Sequence, residues 1–364
     1  MSKTSIEWTH PEGFKGESWN PVVGCNIVSK GCTHCYAMKQ ASRIDAMTHG
    51  AGHYAGTTRK VKGVPVWTGK MARAPEKTLT APLRAKAPRC YFVNSMGDLF
   101  AEGVPDEWID QVFAVMALAP QHRFLILTKR PELMRDYVSL LIDEHKRWCR
   151  LGDASETVSI PLAYETAGET AWPLANVWLG TSVEDQASAD ARIPALLETP
   201  AAKRFISAEP LLGPVDLGRS KALPIYREAE RVTETCGLTR RVIRERAGRG
   251  WCRHDGNMHP WIDWVITGGE SGKSARPMHP DWARSLRDQC AAAGVPYFLK
   301  QWGEWSPGYA EHGNDLDYGL ICEAKQHEWP EGHCSFRVGK RAAGHLLDGV
   351  AHHNWPVDPA GGDA

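Results

Sequence analysis

The chain has 364 residues, 42% of them apolar and 24% charged, and its 43 Lys and Arg are balanced by 43 Asp and Glu. A chain of this length buries a large core without disulfides, and this composition excludes a disordered tail, a collagen-like chain and a disulfide mini-protein. The even balance carries no global signature of a nucleic-acid coat or a membrane-surface protein, and leaves room only for a local basic patch.

The first eight residues, Met1 to Trp8, hold no apolar core of signal-peptide length, and no run approaches 18 uninterrupted apolar residues. A cytoplasmic location is therefore expected, with its thiols reduced. The ten cysteines are then metal ligands or small buried groups rather than disulfide partners. Seven are scattered singly, whereas Cys25, Cys32 and Cys35 are clustered.

In chain order, residues 48–89 are rich in Gly, Lys, Arg and Pro and read as an irregular excursion. Six short apolar runs follow: Cys90–Val93, Phe124–Leu127, Val177–Leu179, Arg204–Ile206, Trp264–Ile266 and Tyr297–Leu299. Continuous rather than alternating runs suit parallel strands covered on both faces. Helices are expected over Asp106–Leu118 with Asp106 as N-cap, over Asp185–Leu197 ended or bent by Pro194, and over Asp281–Ala293 stopped by Gly294. This βα order predicts an α/β chain. Its form is a partial (β/α) TIM-type barrel of about six parallel strands, with an N-terminal cluster loop, two insertions and a C-terminal cap. The barrel is expected over residues 1–306, with insertions at about 48–89 and 219–260, and the cap over 307–364. In that cap Gly339–Gly349 reads as a turn-helix-turn, with Lys340 and Arg341 exposed or aimed at the pocket.

Each strand run ends in polar residues: Asn94-Ser95-Met96-Gly97-Asp98, Thr128-Lys129-Arg130, Thr181-Ser182-Val183-Glu184-Asp185, Ser207-Ala208-Glu209-Pro210, Thr267-Gly268-Gly269-Glu270-Ser271 and Lys300-Gln301-Trp302. Active sites of α/β barrels lie at the C-terminal strand ends, so one shared pocket is the expectation. The second insertion has ten Lys and Arg against four Glu between Arg219 and Arg253. It reads as a solvated excursion or as a phosphate clamp through Arg240, Arg241, Arg244 and Arg246. Its Cys236, Cys252, His254 and His259 match no standard zinc-finger spacing.

Cys25-x6-Cys32-x2-Cys35 places three thiolates within eleven residues, where they can wrap one metal centre. A cubane iron–sulfur cluster with three protein ligands leaves one iron open. Zinc on the three cysteines plus His34, or three buried thiols, are the alternatives.

With the βα repeats, this loop resembles that of the radical S-adenosylmethionine (SAM) superfamily. Cys32-Thr33-His34-Cys35 matches the second half of its Cys-x3-Cys-x2-Cys motif, with His34 in the aromatic slot and six residues where three are usual at the first spacing. Nearly the whole chain is similar to a family of phage and bacterial three-cysteine proteins distantly related to spore photoproduct lyase. The matching pieces are Trp19-Asn20-Pro21, Asp98-Leu99-Phe100, Leu127-Thr128-Lys129-Arg130, Gly180-Thr181-Ser182, Ser207 to Leu211, Gly268 to Ser271, Lys300 to Gly303 and Gly339 to Gly349.

The resemblance implies an enzyme with a [4Fe-4S] cluster on Cys25, Cys32 and Cys35 that cleaves SAM to a 5′-deoxyadenosyl radical. It implies cofactor contacts from His34, Tyr36, Ser95 and Gly97. It further implies Asp98 on the methionine ammonium, Lys129 or Arg130 on its carboxylate, Ser182 and Glu184 on the ribose, and Gly268 and Gly269 under the adenine. Glu209, Glu270, Lys300, Arg240, Arg241 and Arg244 are expected on the substrate. A nucleic-acid base is the expected substrate, modified, rearranged or repaired in DNA or RNA, and flavodoxin or ferredoxin the expected electron donor. A small molecule or peptide as substrate, or a zinc- or cluster-bearing binding module without turnover, are the competing readings. Neither the reactive carbon nor a catalytic acid/base pair is legible.

Overall fold

The structure is a computed structural model that describes residues 2–4, 6–158, 171–220, 222–223, 251–254, 257–308 and 318–357. The chain is of mixed α/β class and forms two compact units. One comprises Met1–Thr181 with Glu198–Ala202, the other Ser182–Leu197 with Lys203–Ala364. The division falls inside the strand series, and the C-terminal tail belongs to the second unit.

In the first unit, strands β1 (Lys15–Trp19), β2 (Arg89–Val93), β3 (Arg123–Thr128) and β4 (Val177–Ser182) pair parallel in that order. The last three coincide with predicted runs. β1 is an addition, because its Lys-Gly-Glu-Ser-Trp sequence lacks the apolar signature. Glu17 is nonetheless buried there and ion-pairs with Arg89 on β2. Trp19, Tyr91 and Phe124 pack across the three strands, with Trp19 and Phe124 ring centres 5.6 Å apart.

Helix α1 (Tyr36–Met47) precedes β2, α2 (Asp106–Ala117) follows it, and α3 (Pro131–Leu140) and α4 (Glu144–Thr157) follow β3. Pro105, not Asp106, is the N-cap of α2. Asp106 and Glu107 instead occupy its first turn, where their charge meets the positive end of the helix dipole. The 48–89 excursion is not irregular. Thr58–Val61 and Val64–Trp67 form an antiparallel hairpin, turned at Lys62 and Gly63 with φ of 49° and 79°. Its Trp67 joins Tyr54, Met38, Ala41, Val23 and Met96 in a separate apolar core under α1.

The second unit holds β5 (Lys203–Ala208), β6 (Trp264–Gly268) and β7 (Tyr297–Gln301), again parallel. Helix α5 (Gln186–Glu198) runs through Pro194, which removes one main-chain donor without ending the helix. Helix α6 (Pro280–Ala293) ends at Gly294 in the left-handed conformation, as its sequence predicts. The tail adds main-chain bonds along β7: Leu299 N–H donates to His352 at 2.8 Å and Asn354 N–H to Tyr297 at 3.2 Å. Its Gly339–Gly349 stretch is a short helix, Lys340–Ala343, then a hairpin turned at Asp348 and Gly349. No helix among the described residues is long and apolar enough to cross a membrane.

Buried and half-buried histidines give the fold a pH limit. His122 is 1% exposed; its Nδ1 accepts the Arg89 N–H at 3.3 Å, and its Nε2 faces the Pro82 carbonyl at 3.1 Å. That pairing suits the neutral ring. Burial lowers the pKa of His122, and likewise of His53, His279 and His352. The unfolded chain therefore takes up these protons first, near the ordinary histidine value of about 6.5, and stability falls as pH drops below it. Thermal unfolding followed by circular dichroism is expected to show an unchanged Tm from pH 8 to 7 and a falling one from about 6.5 to 5, above the range where carboxylates protonate. A flat Tm across that lower window contradicts this assignment.

Candidate functional site

The cysteine loop begins where Val22–Val23 pairs antiparallel with Ala72–Arg73 of the excursion. Gly24 follows with φ +98°, and a Cβ there would lie 2.1 Å from the Lys70 carbonyl oxygen, so only glycine fits. Gly24 N–H donates to Met96 O at 3.3 Å, which seats the loop against the turn after β2. Asn20 holds the same turn, its Oδ1 accepting from Met96 N–H at 2.9 Å and from the Ser95 hydroxyl at 3.1 Å. Tyr36, at the start of α1, donates its hydroxyl to Ser95 O at 2.8 Å. Cys32 closes a short helical turn, Cys35 N–H donates to Cys32 O at 3.2 Å, and α1 starts immediately after Cys35.

The three thiols are close enough to perturb one another. Burial, then the Asp98 carboxylate, pushes Cys25 up to about 12; Cys32 and Cys35 add to the rise and Arg130 opposes it. Burial also raises Cys35, against the pull of the Ala37 and Met38 N–H groups and of Lys129. Cys25 and Cys35 border the apolar core under α1. As bare thiols Cys25 and Cys35 resist ionisation, and a bound metal centre would favour their thiolates. Among the described residues no three His, Cys, Asp or Glu side chains are arranged to hold a metal ion.

Asp98 and Arg130 form the buried hub of the site. Asp98 Oδ1 accepts from Phe100 N–H at 3.1 Å and the Thr128 hydroxyl at 2.7 Å. Its Oδ2 accepts from Lys129 N–H at 3.1 Å and Arg130 Nη1 at 2.9 Å. Four donors fill the capacity of a carboxylate, so in this structure Asp98 is engaged by the protein rather than open to the ligand ammonium expected on it. Arg130 has its side chain 2% exposed and also binds Glu102 Oε2 at 2.6 Å, the Asn26 side chain, and Cys25 Sγ at 3.9 Å. In this structure its donors are engaged by the protein, which leaves Lys129 as the other residue expected on a ligand carboxylate. Lys129 is half-buried. Asn26 and Glu102 are the members the sequence reading missed; their only signals are a place inside the cysteine loop and a spacing four residues after Asp98.

The second unit gathers the other candidates. Glu184 is 2% exposed and ion-pairs with Arg192 at 2.8 Å; the same guanidinium nitrogen donates to Ser182 O. Glu270 is buried and grips Arg276 through both oxygens, at 2.7 and 2.9 Å. A Cβ on Gly269 would fall 1.9 Å from Trp302 O, and one on Gly268 would lie 3.2 Å from the Glu209 carboxyl carbon. Both glycines thus make room for this chain itself, in place of the adenine expected over them. Glu209 and Lys300 form a 2.7 Å ion pair that stays partly accessible, with Gln301 Nε2 3.5 Å from the same carboxylate oxygen. Arg240, Arg241, Arg244, Arg246 and Cys236 lie outside the described residues. Cys252 and His259 are opposite each other in a short hairpin, Trp251–His254 with Asn257–Pro260.

A family model described as "Protein of unknown function (DUF5131)" matches residues 3–356, so the chain belongs to that family. No curated protein and no solved structure matches it.

Proposed function

We propose that this DUF5131 chain is a radical SAM enzyme whose Cys25, Cys32 and Cys35 hold a [4Fe-4S] cluster. The observation that carries the reading is the grouping of three thiols from one loop beside the C-terminal end of β3, with Arg130 reaching Cys25 and the charge of Lys129 felt at Cys35. The strand-then-helix order within each unit supports a partial (β/α) barrel around it. When bound, the cluster supplies the single electron that splits SAM into methionine and a 5′-deoxyadenosyl radical. The chain's own work is to hold, charge and shield. The cysteines hold iron, Lys129 and Arg130 favour anionic sulfur, and the core of Tyr54, Trp67, Met38 and Met96 keeps water from that side of the loop. Cofactor contacts are open to His34, Tyr36, Ser95 and Lys129. Glu209 and Lys300 are the substrate contacts best placed in the second unit.

The substrate is a nucleic-acid base on this reading, supported by the excess of Lys and Arg between Arg219 and Arg253. Protein purified without oxygen is expected to be brown, to contain about four irons and four sulfides per chain, and to release 5′-deoxyadenosine from SAM once reduced by dithionite or reduced flavodoxin. Colourless protein with stoichiometric zinc after anaerobic reconstitution overturns the reading. Nucleic-acid affinity that does not fall with salt, or no binding to DNA or RNA, overturns the substrate part alone.

A further inference from the structure

We infer that Arg130 is a positioning residue for the iron site: it braces the long first half of the cysteine loop and sets the charge at the Cys25 sulfur. The inference rests on the cluster reading above and goes beyond it. Six residues separate Cys25 from Cys32, so Cys25 is the ligand least constrained by its own chain. Cys32 and Cys35 are tied by the short turn and the start of α1. Cys25 instead depends on groups brought from afar.

One guanidinium supplies them. Nη1 reaches both Asp98 Oδ2, at 2.9 Å, and Cys25 Sγ, at 3.9 Å. Nε binds Glu102 at 2.6 Å, and Nη2 binds the side chain of Asn26, the residue next to Cys25. Glu102 also accepts from Asn26 Nδ2 at 3.2 Å, so Arg130, Glu102 and Asn26 close a triangle on the loop. Asp98, saturated by its four donors, fixes the guanidinium from the other side. A planar fork with five N–H donors makes these contacts at once, whereas a lysine ammonium cannot. Reduction adds negative charge to a cluster, and a buried cation donating toward a ligand sulfur favours the reduced form. Arg130 therefore raises the midpoint potential as well as retaining Cys25.

The test compares wild type, Arg130→Lys and Arg130→Met after anaerobic reconstitution with iron and sulfide. Iron per chain, Tm and the cluster midpoint potential from an EPR-monitored titration are the measurements. Both variants are expected to hold less iron, and the clusters that remain are expected to have a lower potential, with Arg130→Met shifted further. A purely structural role lowers Tm and iron together and leaves the potential of surviving clusters at the wild-type value; that result overturns the inference. Should Arg130→Met fail to fold, Arg130→Lys, which keeps the charge, and Asn26→Ala, which cuts one side of the triangle, carry the comparison. Asn26→Ala is expected to lose iron with a smaller change in potential. Iron content in Arg130→Lys and Asn26→Ala equal to wild type also overturns the brace. Wild-type protein that takes up no iron overturns the cluster reading itself, a result distinct from an unshifted potential in the variants.

Discussion

Replacing Cys25, Cys32 or Cys35 with alanine is expected to abolish the brown colour and to leave less than about a tenth of the wild-type iron, because a cluster held by three thiolates does not survive on two. On the cluster reading the loop supplies all three ligands, and no other cysteine is clustered with them in the sequence, so the effect is large. Cys290 is the matched control: it is fully buried in α6, and burial pushes it up to about 12. Cys290→Ala is expected to keep full iron and lose only packing, about 1 kcal/mol or less for one small buried group. Equal iron in the four variants, measured by iron analysis after identical reconstitution, removes the three cysteines as ligands.

The second large effect is expected at Asp98. Asp98→Ala leaves the buried guanidinium of Arg130 without its innermost partner and three further donors unpaired, a change that typically costs about 3–5 kcal/mol. Glu102, whose side chain is 57% exposed, still pairs with Arg130 and holds the cost to the lower part of that range. For a unit of this size the corresponding fall in Tm is about 6–12 °C, at roughly 2–4 °C per kcal/mol. Asp98→Asn keeps the shape but turns one acceptor into a donor facing Lys129 N–H or Arg130, so most of the loss remains. Iron content is expected to fall with stability in both variants. A variant that keeps its Tm and its iron while losing SAM affinity alone restores Asp98 as a cofactor ligand.

Asp98 also shows where sequence reading stops. A carboxylate at a strand end has one appearance in sequence whether it waits for a ligand or is filled by main-chain N–H groups. Only the approach of β3, thirty residues later, settles which it is. Gly269 teaches the same lesson: its neighbour Trp302 comes from elsewhere in the chain and takes the space that looked open, while Arg276, six residues on, takes the charge of Glu270. The strand runs were legible because a strand covered on both faces must be apolar throughout, as Phe124–Leu127 and Trp264–Ile266 are. β1 was not, since Glu17 is tolerated in the interior only through Arg89. The excursion hid its hairpin for a different reason. Lys62 and Gly63 mark a turn between two arms of four residues each, of which the first, Thr58–Val61, is largely solvent-facing, so the pattern is faint.

The contacts described above for the cysteine loop all come from residues 20–130, the last of them arriving with Arg130. During translation, which proceeds from the N-terminus at about 5–20 residues per second, these residues are all made before β5, β6 and β7. On the cluster reading, all three ligands and their braces are therefore made tens of seconds of synthesis ahead of release at the slower rates, and loading does not have to await the second unit.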